Sequence, residues 1–267
     1  MIKIAILGAA GRMGQALIRC ASQIEGLRVA EAVDAKQCPL LGKDAGIIAG
    51  IADIGVLLSA DARKAAHTAD VLVDFSFPSA TVQHALLAAE LKKPMIIGTT
   101  GLNENESGSV TKASSKIPIV WSPNMSLGVN LLFAIVEQTA RRLASYNMEI
   151  IETHHHHKKD APSGTALHLA ELAATARGLA VNAVVTHGRH GMVGERPAGQ
   201  IGIHSLRAGD VVGEHTVMFA ANGERLELTH RAGNRDCFAM GALRAAEWIM
   251  GRKPGLYTMQ NVLEIGS

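Results

Sequence analysis

The first half of the chain alternates short, wholly apolar runs with longer stretches of helical period. Residues 2–7 (Ile-Lys-Ile-Ala-Ile-Leu) read as a strand, followed by a glycine-rich turn and a helix carrying Met13, Ala16, Leu17 and Ala21. A second strand runs from Val29 to Val33 and stops at Asp34. Further strands are predicted at 55–58, 71–75, 95–98 and 117–121, and a helix over 79–91 with Ser79 as its cap. Apolar strands without polar alternation are those buried on both faces, so this half predicts a Rossmann-like, doubly wound parallel sheet.

The pattern changes after about residue 126. A helix over 128–144 leads to a strand at 147–153, a polar run, and a helix over 165–177. Segments that alternate apolar and polar residues follow at 201–207, 211–220 and 225–231. Asn222-Gly223 lies between the last two and predicts a type I′ hairpin. Consecutive hairpins imply a mixed or antiparallel sheet in an α+β domain. A last helix over 236–250 is placed back with the first half, giving domains at 1–126 with 236–267 and at 127–235.

Composition narrows the picture. Hydrophobic residues make up 48% of the 267 and aromatic residues only 3%, so the core is aliphatic. A formal charge of +2, with no basic run interleaved with aromatics, argues against nucleic-acid binding. No apolar run is long enough to span a bilayer and no signal sequence is evident, so the expected location is the cytoplasm. Cys20, Cys38 and Cys237 share no metal-binding spacing and read as reduced thiols.

Two polar elements carry the candidate chemistry. Gly8-Ala9-Ala10-Gly11-Arg12-Met13-Gly14 joins the first strand to the first helix, and Asp34 stands at the end of the next strand. That context suits a dinucleotide: its diphosphate on the helix start and its ribose on the acid. A tight strand-to-helix connection is the plain alternative for the glycines, and a solvated loop residue the alternative for Asp34. Asp34 favours NAD over NADP, while Arg12 and Lys36 partly offset it. Gly98-Thr99-Thr100-Gly101, Asp74-Phe75-Ser76 and Ser122-Pro123-Asn124-Met125 end neighbouring strands on the edge where such sheets bind ligands.

The second element runs from Glu152 to Thr165 and includes His154, His155, His156, His157, Lys158, Lys159 and Asp160. Imidazoles and an ammonium attract a small polyanion, and Lys158 is a suitable proton donor. Ser163, Gly164 and Thr165 open a helix whose first N–H groups suit a carboxylate. A metal site lacks supporting spacing and is not expected. His156 and Lys159 fit a solvated loop; His67, His84 and His168 fall on helix faces and read as surface or core residues.

The stretch comprising Glu152, His154, His155, Lys158 and Asp160 to Thr165 resembles the signature of the dihydrodipicolinate reductase family. Gly8 to Gly14, Asp74 to Ser76, Gly98 to Gly101, Asn124 to Asn130, Gly194 to Arg196, Gly202 to His204 and Gly213 to His215 stand where that family has them. The resemblance covers the whole chain. It implies an NADH- or NADPH-dependent reduction of a cyclic unsaturated dicarboxylate in lysine and diaminopimelate synthesis. It further implies His154 as proton donor and acceptor, Lys158 as proton donor, and His155, Gly164 and Thr165 as substrate contacts. Residues 8–13, Asp34, 98–100 and 122–125 would line the cofactor, and the C-terminal sheet would build a homotetramer. Ala35 and His156 stand where the family often carries Arg. The reading left beside it is a non-catalytic NAD(P)-binding sensor or a reductase of another small carboxylate.

Overall fold

A computed structural model describes residues 1–265. The chain forms two compact units, Met1–Leu127 with Arg235–Ser267 and Gly128–Asn234.

The first unit begins β1 (Ile2–Leu7), α1 (Arg12–Ala21), β2 (Leu27–Val33), α2 (Ala45–Ile48), β3 (Leu58–Ser59), α3 (Ala62–Thr68), β4 (Val71–Asp74), α4 (Pro78–Leu91), β5 (Met95–Ile97), α5 (Glu104–Ser114) and β6 (Pro118–Trp121). The middle of the chain supplies α6 (Leu127–Arg142), β7 (Asn147–His154), α7 (Gly164–Ala176), α8 (Val181–Val184), β8 (Val185–His187), β9 (Ile201–Arg207), β10 (Gly213–Ala221) and β11 (Glu224–Ala232). It closes with α9 (Asp236–Trp248), β12 (Gly255–Tyr257) and α10 (Met259–Val262).

All pairings in the first sheet are parallel, in the order β12-β6-β5-β4-β1-β2-β3. Ile4, Ile6, Leu72, Val73, Ile96, Ile97 and Ile119 are buried, as strands covered on both faces require. One aliphatic cluster lies under α1 and α9 and the other under α3, α4 and α5. The return helix α9 buries Ala239, Ala242, Leu243, Ala245 and Ala246. Gly241 lets it approach the backbone so closely that a Cβ there would stand 1.7 Å from the Met125 carbonyl oxygen.

The second sheet is mixed, in the order β11-β10-β7-β9-β8. β7 runs parallel to β9 and antiparallel to β10, so it separates the two. The expected run of hairpins therefore reduces to one, β10–β11. Its turn differs from type I′, which needs positive φ at both central residues: Gly223 has φ +87° and Asn222 lies outside that region. A second correction concerns α4. Ser79 does not cap it; the helix starts at Pro78, whose ring presets the first helical φ, behind Phe77. The strand predicted over 55–58 shrinks to Leu58–Ser59, while β8, β12 and five helices (α2, α3, α5, α8 and α10) had no assignment from periodicity. No described helix is long and apolar enough to cross a membrane.

Candidate active site

In the first unit the glycine turn is shaped by close backbone approaches. Gly8 has φ +82°, and a Cβ there would sit 2.5 Å from the Phe75 carbonyl oxygen; one on Gly14 would sit 2.3 Å from the Gly8 carbonyl oxygen. Only glycine permits this packing. The Ala10 N–H donates to Asp34 Oδ2 at 2.8 Å and the Ala35 N–H to Oδ1 at 2.8 Å, so Asp34 ties β2 to the turn. Helix α1 starts at Arg12 behind Gly11, with no side-chain cap among the described residues and no acidic residue in its first turn, leaving its first N–H groups for an anion.

A cavity of about 620 Å³ opens beside this turn. Gly8, Ala10, Gly11 and Asp34 line it, together with Ala35, Lys36, Phe75, Ser76, Phe77, Gln83, His84 and Leu87. Phe77 is 78% exposed at its rim. Uncapped helix N–H groups, a carboxylate and a flat apolar wall fit the diphosphate, ribose and base of a dinucleotide. Of the other residues expected to hold a cofactor, Ala9, Arg12 and Met13 belong to the same turn but not to the cavity wall. Gly98, Thr99 and Thr100 follow β5, and Ser122, Pro123, Asn124 and Met125 follow β6, at the carboxyl ends of strands on the same edge.

Thr99 and Gly98 serve the architecture directly. Asp74, 0% exposed, accepts from Ser76 N (3.0 Å), Ser76 Oγ (2.8 Å), Thr81 Oγ1 (2.9 Å) and Thr99 Oγ1 (2.8 Å), and lies 2.5 Å from His84 Nδ1. Burial opposes its ionisation, but the His84 and Ser76 hydrogen bonds outweigh burial and hold it below the usual carboxylate range. This network ties the ends of β4 and β5 to α4. Gly98 leaves room for the Phe75 ring, which a Cβ would meet at 2.1 Å.

In the second unit, period-two alternation puts Met148, Ile150 and Glu152 on the buried face of β7. Glu152 is therefore a carboxylate in an aliphatic layer, 0% exposed. It accepts from Arg207 Nη1 at 2.9 Å and Nη2 at 2.8 Å and from the Ser163 N–H at 3.1 Å, and meets His154 Nδ1 at 2.5 Å. Burial raises its pKa, yet Arg207, His154 and Ser205 more than compensate and hold it at about 2. His154 is pushed down by burial, opposed by Glu152 and reinforced by Lys158 and Arg207. The balance favours the uncharged ring, whose Nδ1 faces Glu152 Oε2.

Ser163 caps α7, accepting from the Ala166 N–H at 3.2 Å, and lies 2.9 Å from His215 Nε2. His215 is buried and held at about 4, chiefly by desolvation. Lys158 donates to Asp160 at 2.9 Å. The His155 N–H donates to the Val211 carbonyl, and its Nδ1 is buried with no partner among the described residues. His156 is exposed, its Nδ1 2.7 Å from the Gly209 carbonyl. Gly164 and Thr165 form the first turn of α7, and Gly164 also borders a separate groove with His168 and His187. The structure thus assembles Glu152, His154, Lys158 and the α7 start, and adds Arg207 and His215, which motif spacing does not reveal. Glu152 was legible in principle: it is the one charge on the apolar face of β7.

A parallel α/β unit with a glycine turn, and a second unit on a mixed sheet bearing a buried acid–histidine pair, suit a nucleotide-dependent oxidoreductase. The N-terminal profile of dihydrodipicolinate reductase matches residues 2–125 and the C-terminal profile residues 128–263. The chain belongs to the dihydrodipicolinate reductase family. It is 49% identical over 264 residues to the 4-hydroxy-tetrahydrodipicolinate reductase of Anaeromyxobacter dehalogenans strain 2CP-C, covering 98% of each chain. It is 44% identical to that of Syntrophotalea carbinolica, covering 98% of this chain and 99% of the relative. Among solved structures, the dipicolinate-bound dihydrodipicolinate reductase from Paenisporosarcina sp. TG-14 superposes with TM-score 0.76 at 25% identity over 97% of both chains.

Proposed function

We propose that the protein reduces 4-hydroxy-tetrahydrodipicolinate to tetrahydrodipicolinate in diaminopimelate and lysine synthesis. A hydride and a proton enter and water leaves. The nicotinamide of NADH or NADPH, when bound, supplies the hydride. Gly8, Ala9, Ala10, Gly11, Arg12 and Met13 would hold its diphosphate and Asp34 its adenosine ribose. Gly98 to Thr100 and Ser122 to Met125 would flank the nicotinamide half.

The observation that carries this reading is the Glu152–His154 pair standing directly before Lys158 and the Ser163-capped start of α7. A dicarboxylate needs cations and helix-start N–H groups, which Lys158, Gly164 and Thr165 provide, with His155 beside them. Hydride addition to a conjugated imine leaves charge that a proton must quench. Lys158 donates it, and neutral His154 accepts and returns a proton at Nε2. We assign Met1–Leu127 with Arg235–Ser267 to the cofactor and Gly128–Asn234 to substrate and assembly. The protein is proposed to act in the cytoplasm as a homotetramer joined through the five-stranded sheet, without nucleic-acid or membrane partners.

Lys158→Ala tests the assignment. Turnover is expected to fall by ~10²–10⁴-fold, the usual contribution of a positioned proton donor, with NADH affinity measured by fluorescence titration unchanged. Equal losses of cofactor affinity and turnover would contradict it.

A further inference from the structure

Glu152 makes more contacts than a solvating role for His154 requires. Its Oε2 meets His154 Nδ1 and Arg207 Nη1, and its Oε1 meets Arg207 Nη2 and the Ser163 N–H. Arg207 stands opposite His154 in the β7–β9 register and donates as well to the Asp160 carbonyl at 2.7 Å. Asp160 in turn receives the Lys158 ammonium. Three parts of the site therefore converge on one ion pair: the imidazole, the ammonium and the first residue before α7.

We infer that Glu152, clamped by Arg207, is a positioning residue that fixes the proton of His154 on Nδ1 and keeps Nε2 a proton acceptor. The inference rests on the proposed role of His154 in proton transfer. The geometry leaves little choice. A carboxylate that receives two guanidinium N–H groups and a backbone N–H has only acceptor sites, so the imidazole must be the donor at 2.5 Å. An orphaned Glu152 would behave differently: a protonated carboxyl could donate to Nδ1 and move the ring proton to Nε2.

The amide isostere makes the idea sharp. In Glu152→Gln, an NH2 group at the Oε1 position would face two donors, Arg207 Nη2 and the Ser163 N–H. At the Oε2 position it faces Arg207 Nη1 but can donate to His154 Nδ1. The second arrangement makes more hydrogen bonds, and it inverts the tautomer. The groups facing His154 are Glu152 on its own strand, Lys158 after it, Arg207 on β9 and His215 on β10, whose ring centroid lies 5.3 Å away. Of these only Glu152 favours the imidazolium, so its loss moves the acid limb of kcat/KM to lower pH.

The test is the tautomer of His154 in the ligand-free protein, read from long-range ¹H–¹⁵N correlations, beside steady-state kinetics. Nδ1–H is expected in the wild type and in Arg207→Lys, which retains the charge; Nε2–H is expected in Glu152→Gln. Glu152→Gln should lower kcat by ~10²–10⁴-fold with little change in KM for the dicarboxylate. Glu152→Asp should recover the Nδ1–H tautomer and part of kcat. A wild-type ring protonated on Nε2, or a Glu152→Gln ring that keeps Nδ1–H, overturns the inference. A tautomer that inverts while kcat is unchanged supports the positioning role and overturns instead the part given to His154 in proton transfer.

Discussion

At the residue scale, the second unit concentrates charge where burial should forbid it, and ionisation becomes part of its stability. Glu149 accepts from Arg189 and Arg196 and meets His204 Nε2 at 2.7 Å. Burial opposes its ionisation, but these partners prevail and hold it at about 2, as Glu152 is held. A depressed carboxylate pKa means that the unfolded chain binds more protons on acidification. The stability contributed by both groups is complete above their ordinary value of 4.5 and is lost as pH falls from there to about 2. His215 follows the same sign: held at about 4 against 6.5, it contributes fully above 6.5 and loses that contribution as pH falls to 4. Thermal unfolding followed by circular dichroism across this range should show a midpoint falling in two stages. Glu149→Gln should flatten the lower stage and leave the upper one; a variant with an unaltered acid profile would contradict the linkage.

Elements are positioned by a few such contacts, and there the two largest structural effects are expected. Gly241→Ala places a methyl group against the Met125 backbone, which cannot swing aside as a side chain would. It should cost at least ~1–3 kcal/mol in chemical denaturation, the ordinary range for overpacking. Ser163→Ala removes the α7 cap and the His215 partner and should cost about 1 kcal/mol for the cap alone. Apolar runs and the glycine turn made the parallel sheet legible in the sequence, because those strands are buried on both faces and cannot be mistaken for loops. The segment from Glu152 to Thr165 was legible for its chemistry. Arg207 was not, because its contact with Glu152 spans 55 residues and depends on β9 pairing with β7. The short β8 and β12 were missed for a related reason: three-residue strands gain their identity from the neighbour they pair with. His84 read as a surface or core residue on a helix; its hydrogen bond to Asp74 appears only when α4 packs beside β4.

At the scale of the whole molecule, one unit, proposed to hold the cofactor, is completed by the return of the chain at Arg235–Ser267, and the sheet of the second carries the proposed proton chemistry. The exposed edge strand β11 belongs to the face assigned to assembly. Light scattering on the purified protein should give four times the chain mass, and a monomer would contradict that assignment. The most direct measurement is the oxidation of NADH and of NADPH, followed by absorbance, with freshly generated condensation product of pyruvate and aspartate semialdehyde. Rapid oxidation that depends on this substrate is expected, with tetrahydrodipicolinate identified as the product by mass spectrometry. Binding of either cofactor without turnover, or turnover confined to a different imino or keto acid, would contradict it.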